Sequence, residues 1–329
     1  MNRPRHVLVR IRSTRLFGAT LAVAFLAALL GPASAATAAG EPPLNTPVTV
    51  LDAALHCPSS FTHPNHEPVL LVHGTTSTYP ESWGFGYVPA LRSAGYDVCG
   101  VDLPDRSMGD IQDSTEYVVH AIDAIHAATG RRVDVVGHSQ GNMQLRWAVK
   151  WWPHLQNEVD DVVDLANPTH GVTGGNLFCV LPCAPALQQF RLGSDFDAAL
   201  NRGDETPGPI SYTNLYSYTD EAITPFTTAP MSGARNIAVQ DVCPGRIVTH
   251  FGFLYDAVTY RLVVDALSHT GSADPGRLPF GKCLEVNLPG VSVLDAAAAT
   301  AVVAANFDAT LLTAPAVWSE PPLRAYAGG

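Results

Sequence analysis

The run Val133-Asp-Val-Val-Gly-His-Ser-Gln-Gly141 constrains this chain more than any other stretch. A strand-forming, β-branched segment leads straight into Gly137-His138-Ser139-Gln140-Gly141. Beyond it, Leu145, Ala148, Val149 and Trp152 recur at helical spacing until Pro153 stops the helix. Strand and helix can be joined this tightly only where glycines flank the turn, because the facing backbone must pass without meeting a Cβ. A serine at such a turn sits in strained backbone, with its hydroxyl lifted clear of the sheet. This is the pattern of a nucleophile elbow, and it points to an α/β architecture.

The rest of the chain alternates in the same way. Val69-Leu-Leu-Val72 is wholly apolar, as a strand buried on both faces of a parallel sheet must be. Residues 79–89 read as a loop rich in Gly and aromatics, 90–94 as a short helix, and 96–101 as the next strand. Asp113 or Ser114 is placed to cap a helix running to about Ala128, with Val118, Ala121, Ile122 and Ile125 on one face and Gly130 closing it. Further strands are expected at 159–166, 211–217 and 236–240, and helices at 254–267 and 294–306. Residues 169–209 lose the alternation and become rich in Gly, Pro and Asn, with one helical stretch near 184–190. That is the character of a lid-like insertion beside a site. The tail from about 313 to 329 has no readable structure. The expectation is a mostly parallel sheet flanked by helices, in one catalytic domain spanning residues 36–329.

Residues 1–35 read as a secretion signal. Five arginines (Arg3, Arg5, Arg10, Arg12 and Arg15) precede an apolar run at 16–30, which ends at Ala33-Ser34-Ala35. The run is shorter than the ~20 residues a spanning helix needs, so no stable membrane anchor is expected. The whole chain carries 19 basic and 30 acidic residues. Without those five arginines the balance is 14 against 30, a formal charge of −16. So acidic a protein lacks the clustered Lys and Arg that nucleic acid or an anionic membrane surface requires.

Six cysteines in an exported chain read as disulfides, and fifteen pairings are possible. Cys179 and Cys183 can close a Pro-containing loop locally. Cys57 with Cys99 and Cys243 with Cys283 are then the preferred pairs. A zinc site at Cys179/Cys183 would need a second pair nearby, and His56, His63 and His66 lack metal-ligand spacing, so no metal is expected.

A serine hydroxyl needs an imidazole to take its proton and a carboxylate to hold the imidazole. In chain order the carboxylate should follow the serine, just past a strand, and the histidine should come last. Asp220 sits in the loop after the 211–217 strand, with Glu221 and Asp241 as rivals. His250 lies between the last strand and the next helix, whereas His269 follows a helix in a Ser/Thr/Gly stretch. The Gln140 amide, at the start of the elbow helix, can donate to a developing oxyanion. Thr75, after Gly74, can offer its amide and its hydroxyl. His138 would line the floor of the site, and His73 reads as structural.

Together these residues resemble the alpha/beta-hydrolase lipases of the Candida antarctica lipase B type and their secreted bacterial relatives. The likeness runs over about 43–286. It rests on Gly74-Thr75, Thr115-Glu-Tyr-Val118, Ser139-Gln140-Gly141, Trp152-Pro153, Thr213-Asn-Leu-Tyr-Ser-Tyr-Thr-Asp-Glu221, and Gln240-Asp-Val-Cys243 leading to His250. It implies the alpha/beta-hydrolase fold, with Ser139, Asp220 and His250 as nucleophile, acid and base, and Thr75 with Gln140 as the oxyanion hole. It supports the Cys57–Cys99 and Cys243–Cys283 pairs, and sets Gln188 and Gln189 beside the pocket mouth, with Gln189 against substrate. His138 stands where the fungal enzyme has Trp, which alters a pocket wall, and the Cys179/Cys183 pair is additional.

The expected protein is a secreted, monomeric serine hydrolase that cleaves carboxylic esters, acylglycerols foremost, through an acyl-enzyme. It would meet its lipid substrate at a lipid–water interface and needs no cofactor. The alternatives are an acyltransferase with the same triad and a silent hydrolase-like binding protein. The second is disfavoured because all three triad residue types are present.

Overall fold

The computed structural model describes residues 40–329, so the secretion signal expected over residues 1–35 lies outside it. Seven strands are present among the described residues: β1 (Leu55–His56), β2 (Val69–Val72), β3 (Val98–Val101), β4 (Val133–His138), β5 (Val159–Leu165), β6 (Ser211–Tyr216) and β7 (Arg235–Ala238). They form one sheet in the order β1-β3-β2-β4-β5-β6-β7, parallel throughout except for β1, which runs antiparallel to β3. The helices are α1 (Val48–Ala54), α2 (Tyr79–Trp83), α3 (Tyr87–Ser93), α4 (Ile111–Thr129), α5 (Gly141–Trp151), α6 (Thr173–Phe178), α7 (Pro185–Gln189), α8 (Asp195–Asn201), α9 (Val239–Val242), α10 (Ala257–Ser268) and α11 (Val293–Thr313).

The apolar strands explain the two-sided core. Along β2, Val69 and Leu71 point to one face and join Trp83, Tyr87, Leu91, Leu262 and Val263. Leu70 and Val72 point to the other and join Val118, Ile122, Trp147 and Ala148. All four β2 side chains are fully buried, and each contributes about 1.5–3 kcal/mol of hydrophobic stabilisation. That double demand is why the strand cannot alternate apolar with polar residues.

Several boundaries differ from the sequence expectation. The cap of α4 is Asp110, whose carboxylate accepts from the Gln112 amide, rather than Asp113 or Ser114. All three can cap. Asp110 is the one whose backbone is extended (φ −61°, ψ 124°), as a cap requires. Gly130 ends this helix at φ +65°. Residues 79–89 contain α2 and the start of α3 rather than a loop. Residues 169–209 carry three short helices rather than one, and α11 runs on to Thr313.

The tail beyond α11 is extended but held. Val317 exchanges backbone hydrogen bonds with Cys183, and Gln112 Nε2 donates to the Pro322 carbonyl. The Trp147 indole donates to Tyr326 Oη. Three disulfides are formed, Cys57–Cys99, Cys179–Cys183 and Cys243–Cys283, as the preferred pairing had them.

Candidate active site

Ser139 stands at the carboxyl end of β4 with φ +55°, a left-handed conformation that L residues adopt only under constraint. Its amide donates to the Leu165 carbonyl on β5, which fixes the turn. Close backbone approach on every side explains the flanking glycines. A Cβ on Gly141 would lie 2.6 Å from the carbonyl oxygens of Val72 and His73, and one on Gly74 would lie 2.8 Å from Ser139 Cβ.

The serine hydroxyl is 2.8 Å from His250 Nε2. On the other side of the ring, Nδ1 is 3.0 Å and 3.1 Å from the two oxygens of Asp220. A nitrogen facing a carboxylate carries the proton, so Nε2 is left with the lone pair that can accept the hydroxyl proton. Asp220 lies just after β6 and also accepts from the amides of Ala222 and Ile223. Burial pushes its carboxyl pKa up, but the His250 charge and these donors outweigh it, and the net shift is downward. For His250 burial pushes the pKa down, while Asp220, by charge and hydrogen bond, and Glu221 more than compensate. Its pKa therefore lies above the ordinary 6.5.

The rivals for these positions are engaged elsewhere. Glu221 accepts the His250 backbone amide, and Asp241 accepts from Tyr218 Oη. His269 turns back to the Asp265 carbonyl at the end of α10. His56, His63 and His66 do not converge: the first two pair with Asp102 and Asp97, and His66 stacks on Tyr96.

His138 and His73 are both neutral. Burial, then the neighbouring His250 charge, brings His138 down to about 3. Its Nε2–H donates to the His250 carbonyl, so it supports the segment that carries the imidazole while lining the cavity. Burial brings His73 to about 4. It donates from Nδ1 to the Gly74 carbonyl and accepts the Leu103 amide at Nε2, which ties the end of β2 to the chain after β3.

Gln140 opens α5, where a backbone amide has no preceding turn to bond to. The Thr75 hydroxyl donates to Gln140 Oε1 at 2.6 Å, so in this state its proton is spent, and Thr75 lines the cavity beside Ser139. Gln189 does not line the cavity. It is fully buried, accepting the Ile111 amide and donating to Asp110. It is Leu187 on α7 and Phe190 at its C-terminal cap, three residues apart, that face the cavity, and this phase turns Gln188 and Gln189 away.

The cavity holds about 490 Å³ and is mostly apolar. Beside Ser139, His250, Thr75 and Gln140, its walls are Val172, Phe178, Leu187, Phe190, Ile223 and Phe251, with Val303, Ala304 and Phe307 from α11. The α11 wall was missed by sequence reading, which saw only an Ala-rich helix. The network behind His250 was also missed. Ser217 and Thr219 donate to the Val248 carbonyl, and Gln240 Nε2 donates to Ser217 Oγ and to the Arg246 carbonyl. These residues lie in the two runs, 213–221 and 240–243, that were legible as motifs.

A parallel sheet carrying a strained serine at a strand–helix elbow, with its histidine and acid on later loops, defines an alpha/beta-hydrolase. The chain belongs to the lipase (class 2) family, whose model matches residues 66–244. It is 30% identical to lipase B of Pseudozyma antarctica over 297 residues, 87% of this chain and 86% of that protein. The crystal structure of Aspergillus fumigatus lipase B superposes with a TM-score of 0.82 at 31% identity, covering 88% of this chain and 74% of that one. A Bacillus licheniformis lipase in its propeptide form, 18% identical and with a TM-score of 0.52 over 67% of this chain and 54% of its own, shares the fold. Family membership makes this protein a hydrolase of the lipase and esterase kind.

Proposed function

We propose that this protein is a secreted serine hydrolase that cleaves carboxylic esters of apolar acids, acylglycerols foremost, with Ser139, Asp220 and His250 as its triad. The observation that carries the reading is the continuous chain from Ser139 Oγ through His250 to Asp220, opening into an apolar cavity. Ser139 Oγ attacks the ester carbonyl while its proton passes to His250 Nε2. The oxyanion is held by the amides of Gln140 and Thr75, and the Thr75 hydroxyl joins them if it releases Gln140 Oε1. The imidazolium then protonates the leaving alcohol, which departs and leaves the acyl group on Ser139. Water attacks that acyl-enzyme, giving its proton to His250, and the carboxylic acid leaves as Ser139 recovers its own. No step requires a cofactor or a metal.

Phe178 on α6 lines the cavity while half exposed, and its neighbour Leu177 and Val302 on α11 are exposed apolar side chains on the same walling helices, which favours a substrate presented at a lipid–water interface. Three disulfides favour an extracellular setting, with the signal removed near residue 35 and a monomer released. The test is hydrolysis of p-nitrophenyl esters from short to long acyl chains, with emulsified triacylglycerol and Ser139→Ala alongside. Turnover of esters by the wild type and its loss in Ser139→Ala are expected. Activity that survives the substitution would sink the assignment.

A further inference from the structure

At the end of the central strands opposite Ser139, β4 and β5 fall out of register. Val133 pairs with Val159 and Val135 with Val162, so the single residue Asp134 faces two, Asp160 and Asp161. A bulge of this kind brings successive side chains toward one partner, where a regular strand would send them to opposite faces. Here all three are carboxylates, and one oxygen from each lies within 4.8 Å of the others. Asp134 is 1% exposed and Asp161 6% exposed. Oδ1 of each is buried with no hydrogen-bond partner among the described residues, as is Oε2 of Glu67 just ahead of β2. The countercharge at hand is Arg132, which gives one oxygen of Asp160 a donor and otherwise bonds the carbonyls of Val159 and Pro209.

Asp134 has the Asp161 backbone amide as a donor and Asp161 has the Ser211 side chain, but one oxygen of each stays buried and unpartnered, and a single guanidinium faces three carboxylates, so the grouping calls for a further cation. The other such cluster, Asp123, His154 and Glu158, also keeps one orphaned oxygen, Oε2 of Glu158, but differs because its members are only half-buried and its histidine bonds the carboxylates of Glu41 and Asp123 through its two ring nitrogens.

We propose that Asp134, Asp160 and Asp161 form a structural calcium site at the amino-terminal edge of the sheet. An all-oxygen donor set selects a hard cation. Oxygens on opposite sides of a Ca²⁺ with bonds of ~2.4 Å lie ~4.8 Å apart, so the three atoms can share one coordination sphere, whereas Mg²⁺ would draw them within ~4.2 Å. Asp134 precedes Ser139 by five residues, roughly 16 Å along the strand, so the ion cannot touch the ester. It would tie β4 to β5 beneath the elbow.

The experiment is calorimetric titration of the EDTA-treated full chain with CaCl₂, together with thermal melting in EDTA and in millimolar CaCl₂. One site per chain is expected, with a midpoint higher by about 3 °C or more in calcium. In Asp134→Asn/Asp161→Asn both effects should vanish. In Asp160→Asn, a half-exposed position that leaves the core intact should the double variant fail to fold, affinity should drop by about tenfold. A folded wild type that takes up no calcium and melts alike in both solutions overturns the proposal. So does unchanged binding in the variants.

Discussion

Gly74→Ala is a one-carbon change that the geometry makes severe. The added Cβ would lie 2.8 Å from Ser139 Cβ, 2.9 Å from the His138 carbonyl oxygen and 3.4 Å from Ser139 Oγ. Gly74 does not have positive φ, so the backbone accepts alanine and only the contact acts. Restoring the 3.4 Å at which ordinary contact begins moves the two residues apart by about 0.6 Å. The Ser139–His250 bond of 2.8 Å would open toward ~3.4 Å, past the range of useful proton transfer. A misplacement of this size lowers kcat/KM by about 10- to 100-fold, or about 1.4–2.7 kcal/mol of transition-state stabilisation. The matched control is Gly174→Ala, which lines the same cavity and whose Cβ would meet nothing within 4 Å. Both variants are assayed on p-nitrophenyl butyrate below their melting midpoints, with active sites counted by a phosphonate ester. Gly74→Ala within about twofold of wild type would refute the reasoning, because that is well under 1 kcal/mol.

Asp220→Asn should lower kcat by about 10⁴-fold by unsettling the His250 tautomer, while Asp241→Asn, bonded only to Tyr218, leaves it unchanged; equal losses would reassign the acid. His250 must be neutral to act as base and its pKa is raised, so kcat/KM should fall as the pH drops through a midpoint above 6.5. In Asp220→Asn the residual activity should show that limb at lower pH, and an unmoved limb would count against the pair. The same raised pKa contributes stability that is fully present below the unfolded value and lost as the pH rises through the folded one. Replacing Cys243 and Cys283 by Ala opens a 40-residue loop and should destabilise by ~4 kcal/mol in urea unfolding; a change below about 1 kcal/mol would contradict the entropic account.

Placement that depends on chain order was legible in the sequence. Ser139 is marked by the glycines its turn requires, and Asp220 and His250 by their places after successive strands. The purely apolar β2 told of a sheet covered on both faces. Gln189 was misjudged because helical phase, not proximity in sequence, decides which side chains of a short helix face a cavity. The cap of α4 was misjudged because three residues within five positions, Asp110, Asp113 and Ser114, compete for one role, and backbone geometry chooses among them.

By itself the sequence determined the fold class, the elbow and the order in which Ser139, Asp220 and His250 follow their strands, because each follows from local backbone requirements and the succession of strands. Only the tertiary structure decided that α11 closes one wall of the cavity, that His138 supports the backbone of His250, and that Asp134 meets Asp160 and Asp161 across a bulge. The physical reason is that these contacts join residues that nothing local relates. Phe307 and Ser139 share a cavity, and Gln140 and Thr75 a hydrogen bond, only after the sheet has brought distant loops to one edge.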